Sequence, residues 1–239
     1  MDNEATSTLT RDMPAANMAV AKIGVECYYF NSIFVVATNP NCFCKIKTYK
    51  MRKLKLQMNM TVDGFVGGTN GEQNWLEPNQ DDEFKKYYQN EIMNSVDTLL
   101  MGRKMTEVFI SYWENIVTNQ ADGPGFLFAQ KLVNIPKIVF SKTITTVAGK
   151  NIRVENGDLV TEVNNLKNES GKDILVYGGA NFVSSLIKNN LIDEFILFIH
   201  RTAIGDGLKI FTSTKKLKLT NSKSYECGVV VNQYKPDNG

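Results

Sequence analysis

The sequence predicts an α/β fold built on a mixed, mostly parallel sheet, and three observations carry this prediction. Apolar, strand-like runs alternate with helix-like segments through the middle of the chain. The final segments are strands without intervening helices, which predicts an antiparallel hairpin at the end of the sheet. The composition, 43% hydrophobic and 22% charged, is that of a globular protein and excludes disordered and fibrous classes.

Each element follows from a local pattern. Period-2 alternation of Leu54, Leu56 and Met58 with polar residues predicts the first strand of the sheet. The other strands are short apolar runs that end at glycine or polar residues, and the helices carry apolar residues at helical spacing. In chain order, the predicted strands are 53–58, 95–101, 137–140, 173–177, 193–200, 216–226 and 228–234, and the predicted helices are 82–92, 103–113, 125–134, 158–167 and 180–189. Residues 114–124 are predicted to be a loop, and capping side chains at 79–82 mark the first helix start.

The first fifty residues differ from the rest of the chain. They hold three of the four cysteines and an apolar run at 23–37 that Glu26 and Asn31 interrupt. This run is shorter than the ~20 residues that a membrane helix needs. We predict that residues 1–50 are an extension outside the folded domain, which leaves 51–239 as one domain. The expected location is the cytoplasm, with organelle targeting by residues 1–50 left open.

Charge and cysteine spacing argue against several kinds of partner. Lys plus Arg number 27 and Asp plus Glu number 25, so net charge does not steer the chain toward nucleic acid. Cys42 and Cys44 lack the spacing of a zinc site, and His200, the single histidine, is far from them and is assigned a structural role. We therefore expect no metal, no nucleic acid and no membrane partner.

Three predicted strands end in groups that suit a dinucleotide, which binds outside the carboxyl ends of strands in open α/β sheets. Gly102-Arg103-Lys104 and Gly178-Gly179-Ala180 each place glycine before a helix start, where free N–H groups bind phosphate. Ser141-Lys142-Thr143 offers hydroxyls and a cation to a phosphate monoester such as the 2′-phosphate of NADP. Taken singly, each motif is also compatible with a plain turn or an exposed loop. Together they indicate one nucleotide lying across several strand ends.

With Trp75 and the segment 61–66, TVDGFV, these motifs resemble the dihydrofolate-reductase-like superfamily. The resemblance is greatest to the reductase domain of the bifunctional riboflavin-biosynthesis deaminase–reductase and its stand-alone relatives. It covers residues 53 to 234 and implies a three-layer fold, in which helices flank the mixed sheet and its antiparallel C-terminal hairpin. The motifs that occur in the family's order are 100–104, 139–143, 177–179, 191–194 and 204–211.

The resemblance implies NADPH as hydride donor, a small heterocyclic substrate and a homodimer. The implied ligands of phosphate, ribose and pyrophosphate are Gly102, Arg103, Lys104, Gly178, Gly179 and Ala180. Those implied to face the 2′-phosphate are Ser141, Lys142 and Thr143. Asp63 is the implied catalytic residue, for orienting substrate or relaying a proton, although Asp63-Gly64 is also compatible with a simple turn. Asn59 and Trp75 are the candidate substrate-pocket residues.

Two positions depart from the family pattern. Met105 stands where many relatives have threonine, which removes a hydroxyl from the phosphate contact, and Arg201 stands where relatives usually have proline. The implied function is an NADPH-dependent reductase, most like 5-amino-6-(5-phosphoribosylamino)uracil reductase of riboflavin biosynthesis. Dihydrofolate reductase and a non-catalytic NADPH sensor are the alternatives. The chain lacks the H-x-E and P-C-x-x-C pattern of the zinc deaminases, which excludes deamination.

Overall fold

The computed structural model describes residues 26–30, 33–37, 49–76, 80–120, 123 and 125–237, so Cys42, Cys44 and Asn79 lie outside the described residues. The chain divides into two compact units, Met1–Met51 and Arg52–Gly239. In the first unit, the described strands form an antiparallel sheet of their own: β1 (Glu26–Phe30), β2 (Ile33–Ala37) and β3 (Tyr49–Lys50). That residues 1–50 lie outside the folded domain stays a prediction.

The second unit carries an eight-stranded sheet and five α-helices in the part of the chain that the structure describes. Its strands are β4 (Leu54–Thr61), β5 (Val96–Gly102), β6 (Lys137–Phe140), β7 (Ile152–Glu155), β8 (Asp173–Tyr177), β9 (Glu194–His200), β10 (Leu217–Ser224) and β11 (Val230–Pro236). Its helices are α1 (Asp82–Lys86), α2 (Arg103–Asn119), α3 (Phe126–Asn134), α4 (Leu159–Asn168) and α5 (Ala180–Lys188). After α1 the chain continues as a π-helical segment, Tyr87–Ile92, and a 3₁₀ turn, Met93–Ser95.

The sheet order is β10-β11-β9-β4-β8-β5-β6-β7. Strands β9, β4, β8, β5, β6 and β7 are parallel neighbours, whereas β11 pairs antiparallel with both β9 and β10. The predicted mixed, mostly parallel sheet with an antiparallel C-terminal hairpin is therefore confirmed. Because six strands run in the same direction, their carboxyl ends lie along one edge, which we call the carboxyl edge.

Helices cover both faces of the sheet and give the predicted three layers. Leu56 and Met58 of β4 belong to a core with Val163 of α4 and Val183 and Leu186 of α5. The opposite face packs against α1, α2 and α3, through buried residues that include Phe84, Phe109 and Leu132. Burial of each such side chain is worth roughly 1.5–3 kcal/mol, so packing on both faces holds the helices in place.

Two elements differ from the sequence prediction. Helix α2 extends to Asn119 instead of ending near Trp113, because half-buried Ile116 and Val117 continue its inward face. Strand β7 was not predicted, since its sequence, IRVE, is short and half polar, and it forms only by pairing with β6 at the sheet's edge. No helix within the described residues is long and apolar enough to cross a membrane.

Candidate functional site

Two helices begin side by side at the carboxyl edge. Strand β5 ends at Gly102 and α2 begins at Arg103, whereas the neighbouring β8 ends at Tyr177 and α5 begins at Ala180 after two glycines. Neither helix start has a side-chain cap, so the first N–H groups of both helices are available to a ligand. Free N–H groups and the positive ends of two helix dipoles favour an anion at this place.

Glycine is required where the two helix starts meet. Gly178 and Gly179 have φ angles of +79° and +90°, which side-chain-bearing residues rarely adopt. A Cβ on Gly178 would lie 2.9 Å from Cγ of Met105, and one on Gly102 would lie 2.9 Å from Cβ of Phe182. A Cβ on Gly179 would lie 3.9 Å from Cα of Gly102. The structure thus brings the first and third predicted motifs into contact.

Two cations at the start of α2 have no partner in the described part of the chain. Arg103 is half-buried and Lys104 is exposed, and neither makes an ion pair or side-chain hydrogen bond with any residue that the structure describes. Beside them, the side chain of Met105 packs against Gly178, where a threonine would place a hydroxyl. The hydroxyl of Thr106 is buried and donates to the carbonyl of Gly102, 3.1 Å away. The described residues therefore leave the positive charge at this helix start without a counter-charge.

The second motif lies on the same edge, at the loop after β6. The Ser141 hydroxyl accepts hydrogen bonds from the backbone N–H groups of Thr143 and Ile144, at 3.1 and 3.2 Å. Lys142 Nζ donates to the carbonyl groups of Asn156 and Gly157, at 3.0 and 2.6 Å. Two of the three donors of this ammonium group thus tie the loop to the segment after β7, and one remains for a ligand.

Asp63 holds together two loops at the end of β4. Its carboxylate accepts a hydrogen bond from the Thr61 hydroxyl at 2.5 Å, and others from the backbone N–H groups of Ile204 at 3.0 Å and Gly205 at 2.7 Å. The bond from Thr61, followed by that from Gly205, lowers the pKa of Asp63 below its ordinary value of 3.8. The side chain is therefore ionised at neutral pH and fixes the loop that follows β9.

The predicted pocket residues Asn59 and Trp75 meet at His200. Nε2 of His200 lies 3.0 Å from Oδ1 of Asn59, and the ring of Trp75 contacts the imidazole edge-on with centroids 5.4 Å apart. His200 is buried within the sheet, as expected for a structural residue. The indole nitrogen of Trp75 is also buried but has no hydrogen-bond partner among the residues that the structure describes. A buried N–H without a partner costs stability, which makes it a candidate ligand-binding group.

Two surface grooves lie away from these residues. One, of about 620 Å³, follows the outer face of α2 beside Val108 and Tyr112. The other, of about 570 Å³, lies between the π-helical segment and α3, beside Leu127 and Lys131. Neither groove is lined by a predicted site residue. Within the described parts of the chain, no group of three or more His, Cys, Asp or Glu side chains is placed to hold a metal.

Comparison with known proteins agrees with the geometry. The model of the RibD C-terminal domain family matches residues 52–231. The chain is 35% identical over 185 residues to the uncharacterized protein YyaP of Bacillus subtilis (strain 168), a match that covers 76% of this chain and 93% of that protein.

Two solved structures show the same fold. One is a candidate riboflavin biosynthesis protein from Shewanella sp. PV-4, with a TM-score of 0.58 and 21% identity over 78% of this chain and 99% of that one. The other is the diaminohydroxyphosphoribosylaminopyrimidine deaminase/5-amino-6-(5-phosphoribosylamino)uracil reductase of Thermotoga maritima, with a TM-score of 0.54 and 17% identity. That match covers 79% of this chain and 57% of the Thermotoga chain. These findings confirm the resemblance that the sequence motifs indicate.

Proposed function

Because the chain belongs to the RibD C-terminal domain family, we propose that it is an NADPH-dependent reductase that transfers a hydride to a small heterocyclic substrate. The proposed activity resembles that of 5-amino-6-(5-phosphoribosylamino)uracil reductase, for which the Thermotoga protein is named. The observation that carries the proposal is the pair of uncapped helix starts after neighbouring strands, beside Arg103 and Lys104, which have no ion-pair partner among the described residues.

The residues at the carboxyl edge fit a dinucleotide. Backbone N–H groups at the starts of α2 and α5 offer donors for the pyrophosphate, and the glycines before them let a phosphate approach the backbone. Arg103 and Lys104 supply charge, and the remaining donor of Lys142 suits the 2′-phosphate that separates NADPH from NADH. NADPH, when bound, supplies the hydride, and the protein supplies position and exclusion of water.

Asp63 has a positioning role in this proposal. Its carboxylate already accepts three hydrogen bonds and is ionised at neutral pH, so it has no proton to give. It holds residues 204 and 205 against the end of β4, the strand that also carries Asn59. Substrate orientation therefore depends on Asp63 through the loop that it fixes, and the proton comes from another donor or from water.

Binding and turnover test the proposal together. Thermal unfolding is followed with NADPH and with NADH, and NADPH oxidation is then measured with 5-amino-6-(5-phosphoribosylamino)uracil and with dihydrofolate. We expect stabilisation by NADPH and oxidation with the pyrimidine. Replacing both Arg103 and Lys104 with Ala should weaken NADPH binding, whereas the same change at exposed Lys85 and Lys86 of α1 serves as the charge-matched control.

The outcomes separate the alternatives. No stabilisation by either dinucleotide contradicts the reductase proposal. Turnover with dihydrofolate but not with the pyrimidine assigns the activity to dihydrofolate reduction. Stabilisation by NADPH without oxidation on either heterocycle favours a sensor, which needs the phosphate-binding edge but no substrate pocket.

Homodimerisation is also proposed, through the exposed strand β10. This strand lies at the edge of the sheet, and seven of its eight residues are exposed, among them Leu219 at 53%. A strand whose outer edge has no neighbouring strand, and which exposes an apolar side chain, is a surface that proteins usually cover. Light scattering on the protein eluted from a size-exclusion column should give the mass of a dimer. Leu219→Lys should shift the measured mass toward that of the monomer. A monomeric wild-type protein would refute the proposal.

A further inference from the structure

The only histidine of the chain is buried at the carboxyl edge. His200, the last residue of β9, is 1% exposed and pairs in register with Thr61 at the end of β4. Its Nε2 lies 3.0 Å from Oδ1 of Asn59, two residues earlier on β4. Because an amide oxygen has no hydrogen, the imidazole is the donor of this bond, and Nε2 carries the hydrogen.

This bond fixes the direction of the Asn59 amide. Side chains alternate along β4, so Asn59 lies on the face opposite to Leu56 and Met58, the face that it shares with Phe198 and His200 of β9. The oxygen and nitrogen of an amide lie on opposite sides of one carbon, so an oxygen held by His200 turns the nitrogen away from the imidazole. That nitrogen donates to no residue that the structure describes, and it is not one of the buried polar atoms left unpaired, since Asn59 is only half-buried. Its two N–H groups are therefore open to a ligand.

Trp75 holds the imidazole from another side. Its ring contacts that of His200 edge-on, with centroids 5.4 Å apart, and this contact restrains the plane of the imidazole. The indole N–H of Trp75 is buried and has no acceptor in the described part of the chain. A buried donor without an acceptor costs free energy, so the cluster around His200 favours a ligand that brings acceptor atoms.

This cluster lies beside the residues assigned to the dinucleotide. The three motifs predicted to bind phosphate follow β5, β6 and β8, whereas β4 and β9 lie on the other side of β8 in the sheet. A dinucleotide on those motifs leaves the ends of β4 and β9 to the second reactant.

We infer that His200 is a positioning residue for substrate binding: by holding the side-chain oxygen of Asn59, it presents the amide N–H groups of Asn59 to an acceptor atom of the substrate. The inference rests on the proposed function, because the ligand is the substrate of that same reaction. It goes beyond it because it explains why a histidine, and not an apolar residue, ends a buried strand.

The tautomer of His200 tests the orientation without any ligand. Because the chain has one histidine, ¹⁵N labelling of histidine gives the spectrum of this imidazole alone. Long-range ¹H–¹⁵N correlation on the full chain should show a protonated Nε2, and Asn59→Leu should shift its resonance. A bare Nε2 with the hydrogen on Nδ1 would mean that the Asn59 amide points the other way, which overturns the inference.

Binding of 5-amino-6-(5-phosphoribosylamino)uracil to the full chain, measured by calorimetry with and without NADPH, tests the consequence. His200→Leu should weaken binding about 10-fold, because the Asn59 amide loses its orientation. His200→Gln places an amide donor near the position of Nε2 and should restore most of the affinity. Asn59→Asp still accepts from His200 but has no N–H to offer, so it should weaken binding as much as Asn59→Leu does.

The two positions should be coupled, because His200 acts through Asn59. In an Asn59→Leu background, His200→Leu should cause no further loss of affinity, whereas independent effects would multiply. Asn232 of β11 is the matched control, because its Oδ1 also accepts from a side-chain donor, the Ser222 hydroxyl at 2.6 Å. Asn232→Leu should leave the affinity unchanged.

Thermal unfolding shows which variants are folded, and the Asn59 variants decide the question if His200→Leu does not fold. The inference is overturned if wild type does not bind the pyrimidine up to its solubility limit, or if Asn59→Asp or a folded His200→Leu binds it as well as wild type. It is also overturned if His200→Gln binds no better than a folded His200→Leu.

NADPH binding, measured separately by thermal shift, distinguishes this inference from the proposed function. Pyrimidine binding that depends on Asn59 and His200, without stabilisation by NADPH, supports the inference and contradicts the proposed reductase. Stabilisation by NADPH with a pyrimidine affinity that responds to neither residue supports the cofactor assignment and overturns the inference.

Discussion

The two edges of the sheet use their polar groups in opposite ways. At the amino edge, where the parallel strands begin, charged side chains are paired: Lys55 with Asp173 at 2.9 Å and Lys167 with Asp193 at 2.6 Å. Arg52, which precedes β4, is the most enclosed of these groups. At the carboxyl edge, two helix starts are uncapped and two cations lack partners within the described residues. Polar groups thus support the fold at the amino edge and stay available for binding at the carboxyl edge.

The largest effect is expected at Arg52. The residue is 4% exposed, and its guanidinium donates to Asp97, to the Thr98 hydroxyl at 2.6 Å and to the Lys172 carbonyl at 2.6 Å. Arg52→Met removes these three hydrogen bonds from a buried position and should lower the free energy of unfolding by about 3 kcal/mol. Urea unfolding measures this loss, and NADPH affinity of the folded protein should not change.

Lys53 provides the control for Arg52. Its ion pair with Glu194, at 3.4 Å, is formed by a lysine side chain that is 36% exposed. Lys53→Met should cost no more than about 1 kcal/mol, as is usual for exposed pairs. A drop in NADPH affinity in the Arg52 variant would show that the two edges are not independent.

The next effect is expected at Gly178, on the carboxyl edge. Alanine would be strained at its φ of +79° and would bring a Cβ to 2.9 Å from Met105 Cγ. We expect Gly178→Ala to lower the free energy of unfolding by about 1–2 kcal/mol and also to weaken NADPH binding, because Met105 must move at the helix start. Gly125→Ala has a comparable φ of +101° but no atom within 4 Å of its Cβ, so it should lower stability alone. Equal NADPH affinity in both variants would contradict the site assignment.

A smaller and more selective effect is expected at Lys142. Lys142→Ala removes the donor assigned to the 2′-phosphate and should weaken NADPH about 10-fold, or about 1.4 kcal/mol, with NADH affinity unchanged. Lys188, at the far end of α5, gives a control for loss of one positive charge. The informative quantity is the ratio of NADPH affinity to NADH affinity. Loss of the bonds to Asn156 and Gly157 can loosen the loop, which would lower the affinity for both dinucleotides alike. Equal losses of affinity for NADPH and NADH would show that Lys142 holds the loop in place and does not bind the 2′-phosphate.

The fold follows from the sequence where local signals are strong. Strands β6 and β8 have the predicted bounds because each is a short apolar run next to a residue that interrupts strands. Pro136 precedes β6, and Gly178 follows β8. Strand β7 and the second half of α2 were missed because both depend on tertiary contacts: β7 on pairing with β6, and α2 on burial of Ile116 and Val117. The conformational preferences of the residues themselves carry no information about these tertiary contacts.

The site shows the same limit. The three motifs predicted to bind phosphate could be placed on one edge from the sequence, because each follows a predicted parallel strand. The burial of Gln57, which is 8% exposed, could not be predicted, because a polar residue in an alternating strand predicts a solvent-facing position. Only the sheet order, which puts β4 between β9 and β8 with helices on both faces, shows that this position is buried.

The smallest effect is expected at Asp63, a carboxylate at the carboxyl edge whose hydrogen bonds, like the ion pairs of the amino edge, support the fold. Its folded pKa is lowered by the hydrogen bond from Thr61 and by the N–H groups of Gly205 and Ile204. A lowered pKa means that the stabilisation is present above the unfolded value near 3.8 and is lost as pH falls through the folded value. The stability difference between wild type and Asp63→Asn should therefore be constant above about pH 5 and shrink below about pH 4.

The same reasoning predicts the pH profile of NADPH oxidation. If Asp63 positions a loop and relays no proton, its titration does not limit the rate at any pH from 5 to 8, and Asp63→Asn should lower the rate without changing the shape of the profile. A limb of the profile that disappears in Asp63→Asn would assign the proton relay to this carboxylate. In that case the carboxyl edge would hold a titrating catalytic acid, and the contrast between a paired amino edge and an available carboxyl edge would extend to proton transfer as well as to binding.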